Sequence, residues 1–94
     1  MKVVWTKLAK EDLEAALQYI SKDNSAAAKS LGARLLSALE TIKEHPHICR
    51  IGRVEGTREL VLAGTPYIFV YSLQVDCIAV VSFLHSSRRW PLLS

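Results

Sequence analysis

The period of the apolar residues changes once along this chain, at Pro46, and that change constrains the fold more than any other feature. Before it the period is helical. Leu13, Ala16, Leu17 and Ile20 recur at i, i+3, i+4 and i+7 and make one stripe of a helix from Lys7 to about Lys22. Thr6 is placed to cap that helix, and Glu11, Asp12 and Glu14 fall early in it, where the dipole favours negative charge. Asp23-Asn24-Ser25 is a break made of cap residues. A second helix follows from about Ala26 to His45, with Ala28, Leu31, Leu35, Ala38, Leu39 and Ile42 on one face. Gly32 in its middle marks either close packing of the two helices or a tolerated glycine. Pro46 stops the helix, because the residue before a proline is pushed out of the α region.

After Pro46 the pattern is that of strands. Arg50 to Gly56 reads as a polar, glycine-containing loop. Strands are expected near 58–62, 66–73 and 77–85, separated by turns at Gly64-Thr65-Pro66 and Gln74-Val75-Asp76. The second and third are apolar on both faces, which predicts a central position under a helical layer. Val3-Val4-Trp5 is a further short β-prone run. The order is β-α-α-β-β-β. The expected class is therefore α+β, a helical hairpin packed on a mainly antiparallel sheet.

At 94 residues the chain makes one small domain, 1–94, with little stability to spare. Half of its residues are apolar, too many for a disordered chain. No apolar run reaches the ~20 residues of a membrane span. Met1 to Lys7 lacks an apolar segment followed by a cleavage site, so the cytoplasm is the expected location and no membrane contact is expected. Cys49 and Cys77 fit no metal or redox spacing and read as reduced, buried thiols. His45 and His47 flank Pro46 with no cysteine pair near them, and no metal or cofactor is expected.

The charge is mild, +3, but unevenly made. All six lysines lie before residue 49, whereas Arg50, Arg53, Arg58, Arg88 and Arg89 follow it. Arginine is the side chain for planar, bidentate contact with phosphate or carboxylate, so recognition chemistry is sought in the second half. No Ser-His-Asp set, glycine-rich phosphate loop or paired-carboxylate motif is present. Glu55 and Glu59 are candidate general bases, and also ordinary loop carboxylates. His85 ends the last strand, as a structural residue or as an acid or base titrating near neutrality. Were the strands carrying them neighbours, Arg58, Arg88 and Arg89 would gather at one end of the sheet, with Trp90 offering a stacking or cation–π surface. The other reading of these arginines is a solvated strand end that discourages edge-to-edge aggregation.

Four segments carry a resemblance to a known family. Trp5-Thr6 with Asp12-Leu13-Glu14 and Tyr19-Ile20 is similar to its opening helix. Gly52-Arg53-Val54-Glu55-Gly56-Thr57-Arg58-Glu59-Leu60-Val61 is similar to its loop-to-strand signature. Pro66-Tyr67-Ile68-Phe69-Val70-Tyr71 is similar to its central strand, and Leu84-His85-Ser86-Ser87-Arg88-Arg89-Trp90-Pro91 to its terminal motif. In this order they resemble the toxins of the bacterial type II toxin–antitoxin RelE/ParE superfamily, and within it the ParE side.

The resemblance implies one of two activities. RelE-type members bind the ribosome and cut mRNA without a metal, using basic residues and in some a Glu–His pair on the sheet. A typical arginine there follows the first aromatic or His residue of the central strand. In this chain that position is Ile68, and residues 49–94 contain no lysine. ParE-type members keep the fold, lack that set and inhibit DNA gyrase. The expected activity is gyrase poisoning by protein contact; the alternative is a ribosome-dependent mRNA endoribonuclease with Arg58, His85 and Arg88 as its catalytic candidates. The resemblance also implies a cognate antitoxin whose C-terminal segment folds onto the toxin. The expected target surface is Arg58, His85, Arg88, Arg89 and Trp90. Truncating an interface hot spot costs about 2 kcal/mol or more. Arg88→Ala combined with Arg89→Ala is therefore expected to blunt growth arrest while leaving the melting curve unchanged. Full arrest by the folded double variant would remove these arginines from the target surface.

Overall fold

The computed structural model describes residues 2–86, so Arg88, Arg89 and Trp90 lie outside the described residues. Strand β1 (Lys2–Trp5) leads into helix α1 (Lys7–Asp23) and helix α2 (Ser25–Glu44). Strands β2 (Arg50–Ile51), β3 (Thr57–Val61), β4 (Tyr67–Leu73) and β5 (Cys77–His85) follow. They form one five-stranded sheet in the order β1-β5-β4-β3-β2. Three pairings are antiparallel, as expected, and the fourth, β1 with β5, is parallel. The sheet is therefore mixed, with the parallel strand at its edge.

The helical hairpin turns on a single residue. Thr6 Oγ1 accepts from the Ala9 N–H at 3.2 Å and starts α1. Asn24 closes α1 by donating its N–H to Ile20 O at 2.9 Å, and its own side chain accepts from Ala27 N at 3.0 Å to open α2. A short polar residue serves both ends because its backbone is extended there (φ −157°, ψ 97°). The first turn of α1 holds no acidic residue. Glu11, Asp12 and Glu14 thus sit beyond the reach of the dipole, a correction to the expectation above.

The hairpin lies over one face of the sheet. Leu31, Leu35, Leu39 and Ile42 of α2 and Ala9 and Ala16 of α1 meet Tyr67, Phe69, Tyr71, Ile78, Val80 and Phe83. Trp5 stands edge-on to Phe69, ring centres 5.9 Å apart, and Tyr67 stacks on Phe83 at 5.1 Å. Full burial of Phe69 and Phe83 contributes about 1.5–3 kcal/mol each, a large share of the 5–15 kcal/mol typical of a domain. On the other face Ile68, Val70 and Leu84 form a second buried cluster. The alternation within β4 thus separates two apolar layers, which is why its sequence is apolar at every position from Tyr67 to Tyr71.

Two details differ from the sequence expectation. Arg50 and Ile51 pair with Glu59 and Arg58 as β2, so the polar loop begins only at Gly52. The β4–β5 register also shifts between Val70 and Tyr71. Val70 faces Ser82 and Tyr71 faces Val80, leaving Val81 as the extra residue of a bulge. Gly32 is the tolerated glycine, since a Cβ there would meet nothing within 4 Å. Gly32→Ala is expected to raise unfolding stability by about 0.5–1 kcal/mol in a urea titration, the usual gain at a mid-helix glycine. A loss of stability would reveal a contact that needs the bare backbone.

Candidate functional site

Arg58 and His85 lie toward opposite ends of the sheet. Arg58 pairs with Tyr71 across β3–β4, whereas His85 pairs with Tyr67 across β4–β5. Tyr67 and Tyr71 are four residues apart on one strand, about 13 Å at the usual rise. The strands bearing Arg58 and His85 are not neighbours, because β4 runs between them. Arg58 and His85 are therefore not brought together, and Arg88, Arg89 and Trp90 lie outside the described residues.

Arg58 is occupied with the chain itself. Its Nη1 donates to Cys49 O at 2.8 Å and to His47 O at 3.2 Å. It ties down the segment that leaves α2, whose carbonyls lack partners after Pro46 ends the helix. Tyr71 does the same from below, donating its hydroxyl to Pro46 O at 3.0 Å. Burial pushes the Tyr71 phenol far above its ordinary range. A hydrogen bond and charge interaction with Cys49 act in the same direction, and the Arg58 guanidinium opposes them. Tyr71 is thus a neutral donor at every physiological pH.

Glu59 is a clamp as well. It is 2% exposed and carries a full set of donors. Arg50 Nη2 reaches Oε1 at 3.0 Å. The Arg53 N–H reaches Oε2 at 3.0 Å, with Arg53 Nε at 3.4 Å. The loop-to-strand motif exists to hold this arrangement. Gly52 gives its N–H to Thr57 O at 2.8 Å, and a Cβ on it would come within 2.2 Å of the Thr57 hydroxyl. Gly56 turns the loop at φ +83°, a conformation that favours glycine. Glu55 sits exposed in that turn. The roles of Arg50, Arg53 and Tyr71 were not read from the sequence. A carboxylate at an in-facing strand position beside two arginines was the available signal.

The far end of the sheet is different in kind. His85 is half-buried at the end of β5, its ring edge-on to Tyr67 with centres 5.5 Å apart. Beside it lies a cleft of about 450 Å³ between α1 and the ends of β4 and β5. Asp12, Tyr19, Tyr67 and Phe83 line it together with His85. Two shallower grooves of about 340 and 350 Å³ run between α2 and the outer edge of β3, along Leu60 to Ala63. The short β2 covers only Arg58 and Glu59 of that edge, and Ile48, Ile51 and Val61 lie exposed along it. Cys49 and Cys77 are both free thiols, the first buried and the second half-buried. Among the described residues no three His, Cys, Asp or Glu side chains are grouped to hold a metal ion, and no helix is long and apolar enough to cross a membrane.

A sequence profile for the ParE toxin of the type II toxin–antitoxin system parDE matches residues 3–90. The chain belongs to the ParE toxin family. It is similar to the Sinorhizobium fredii protein Y4kP, 37% identical over 90 residues that cover 96% of this chain and 93% of that one. It is also similar to toxin RelE2 of Caulobacter vibrioides, 33% identical over 86 residues and covering 92% and 96% of the two chains. A chain of the chromosomal ParDE system of P. aeruginosa superposes with a TM-score of 0.77 at 19% identity, covering 90% and 95%. The isolated E. coli RelE toxin superposes at 0.61 with 16% identity, covering 95% and 87%. This ParE-family chain is thus the toxin of a toxin–antitoxin pair, on the two-helix, sheet-backed fold that the superfamily shares.

The clamp gives a direct test. Glu59→Ala leaves two guanidinium groups and a backbone N–H without their acceptor. It is expected to destabilise the ParE-family chain by about 1.5–3 kcal/mol, the range for charged hydrogen bonds, since both arginine heads are half in water. Chemical denaturation measures it; an unchanged midpoint would make Glu59 dispensable to the fold.

Proposed function

We propose that this toxin arrests growth by poisoning DNA gyrase through protein contact, and that its antitoxin neutralises it by covering the exposed edge of β3 and the end of the sheet at His85. The observation that carries this reading is Ile68. In mRNA-cutting members of the superfamily the matching position typically holds an arginine. Here it is a buried isoleucine packed with Val70 and Leu84. A cation there would have to enter an apolar cluster at a cost of several kcal/mol. Among the described residues the remaining candidates for an acid–base set are separated or engaged: Arg58 holds two carbonyls, Glu59 holds two arginines, and His85 lies at the other end of β4. Inhibition by contact needs no such set. It needs a presented surface, and the chain continues from His85 into Arg88, Arg89 and Trp90, residue types enriched at interface hot spots.

The antitoxin side of the proposal rests on the α2–β3 grooves. An unpaired strand edge with apolar side chains along it accepts an added strand, which supplies backbone hydrogen bonds while pockets take alternate side chains. Ile48 and Val61 are exposed and line one of these grooves together, an apolar stretch of the kind that a partner covers.

Purified toxin added to gyrase, ATP and relaxed plasmid is expected to block supercoiling or leave cleaved DNA, and to leave mRNA intact on translating ribosomes. Saturating antitoxin at a hundred times its dissociation constant is expected to add roughly 2.7 kcal/mol of stability. Cut mRNA together with unaffected gyrase would overturn the target assignment in favour of ribosome-dependent cleavage.

A further inference from the structure

We propose that the cleft between α1 and the end of the sheet is a receptor for an arginine side chain, and that the antitoxin supplies it; the second clause rests on the neutralisation proposed above. The cleft has the size of a small-ligand site, about 450 Å³. It exists because α1 presents only Ala15 and Ala16 where longer side chains would fill it. Its walls are aromatic: the Tyr67–Phe83 stack with His85 edge-on at one side, and Tyr19, 72% exposed, on the helix opposite.

Two polar groups in the cleft have acceptor capacity to spare. Asp12 takes the Ser82 hydroxyl at 3.2 Å and the Phe83 N–H at 3.4 Å, both on Oδ2. Its Oδ1 has no hydrogen bond among the described residues. The reason Asp12 stands there is topological. Strand β1 ends at Trp5, so β5 beyond Val80 has no strand on that side, and α1 brings a carboxylate to its open edge. Tyr67 is 9% exposed, yet its hydroxyl makes no hydrogen bond among the described residues. A hydroxyl that lines the cleft with no partner among the described residues is a group with which a ligand can pair.

Carboxylate plus aromatic faces selects the ligand class. A guanidinium donates in-plane to Asp12 and Tyr67 while its flat face lies against a ring, and both contacts strengthen as water leaves the cleft. A nucleotide or other phosphate does not suit this site, because among the described residues Asp12 is the charged one that lines it, and it repels an anion. A lysine ammonium has the charge but not the plane. Since His85 is shared by the cleft and the end of β5, an antitoxin arginine seated here holds the antitoxin against the proposed target surface.

The test titrates the full-length toxin with N-acetyl-arginine amide and, separately, with its neutral isostere N-acetyl-citrulline amide, following the aromatic NMR signals of Tyr67 and Phe83. The arginine compound is expected to shift them saturably at millimolar concentration and the citrulline compound to leave them in place. Asp12→Asn keeps an acceptor for Ser82 and Phe83 but removes the charge, and is expected to weaken binding about tenfold. Tyr19→Ala alters an exposed ring alone and is expected to weaken it as well. No saturable shift, or equal shifts by both compounds, would overturn the receptor. In the complex, one antitoxin Arg→Gln substitution is expected to weaken binding to the unsubstituted toxin but not to the Asp12→Asn toxin. A bound antitoxin with no arginine coupled to Asp12 would overturn the assignment of the occupant while neutralisation stands. An antitoxin that fails to bind would instead overturn the neutralisation reading, leaving the compound titration to decide the receptor.

Discussion

The central strand β4 is dry on both faces, and the rest of the molecule is arranged to keep it so. Tyr67, Phe69 and Tyr71 face the helical hairpin, and Ile68 and Val70 face the second apolar cluster. A strand in that position has its backbone groups satisfied only by neighbours on both sides, which β3 and β5 supply along its length. Fully buried aromatic side chains then fix the spacing of the hairpin above. The polar devices follow from this requirement. The chain must leave α2 at Pro46 and return as an edge strand, and the carbonyls freed at that exit are gathered by the Tyr71 hydroxyl and the Arg58 guanidinium.

The same requirement decides what the sheet is available to do. Cations and a carboxylate on β2 and β3 are spent on closing the loop around Glu59, so they are architecture before they are chemistry. What remains for partners lies at the margins: the uncovered edge of β3, where β2 is two residues long, and the aromatic cleft beside His85. Both margins arise where a short edge strand stops before its neighbour does. β1 ends at Trp5 and leaves β5 open for Asp12, and β2 begins only at Arg50, opposite Glu59, and leaves β3 open from Leu60 onward. A scaffold with a closed centre and two unfinished edges suits a protein that must be bound by an antitoxin and also present a surface to a target.

Much of the fold was legible because periodicity and capping are local. Thr6 and Asn24 announce the ends of the helices, and a strand apolar on both faces announces its central place. The element order and the helix faces follow from those alone. What was not legible depended on contacts between residues far apart in sequence. Arg58 looked like a recognition residue because arginine is one, and only the fold brings His47 and Cys49 carbonyls to it. Asp12 looked like a dipole partner, and only the early end of β1 makes it the acceptor for β5. The two-residue β2 carried no periodic signal at all, since two residues cannot show a period. The loop-to-strand motif was found through its resemblance to the family, and its physical content, a buried carboxylate held by two arginines and two constrained glycines, came from the geometry.

Arg58 holds the exit from α2, and it is expected to support the fold while taking no part in the toxic event. The most direct measurement is growth arrest by Arg58→Met toxin expressed without antitoxin, at a temperature where its circular dichroism melt shows it folded. A lowered melting temperature and undiminished arrest are expected wherever the variant is folded. A folded Arg58→Met protein that no longer arrests growth would contradict it and return Arg58 to the target surface or to a catalytic site.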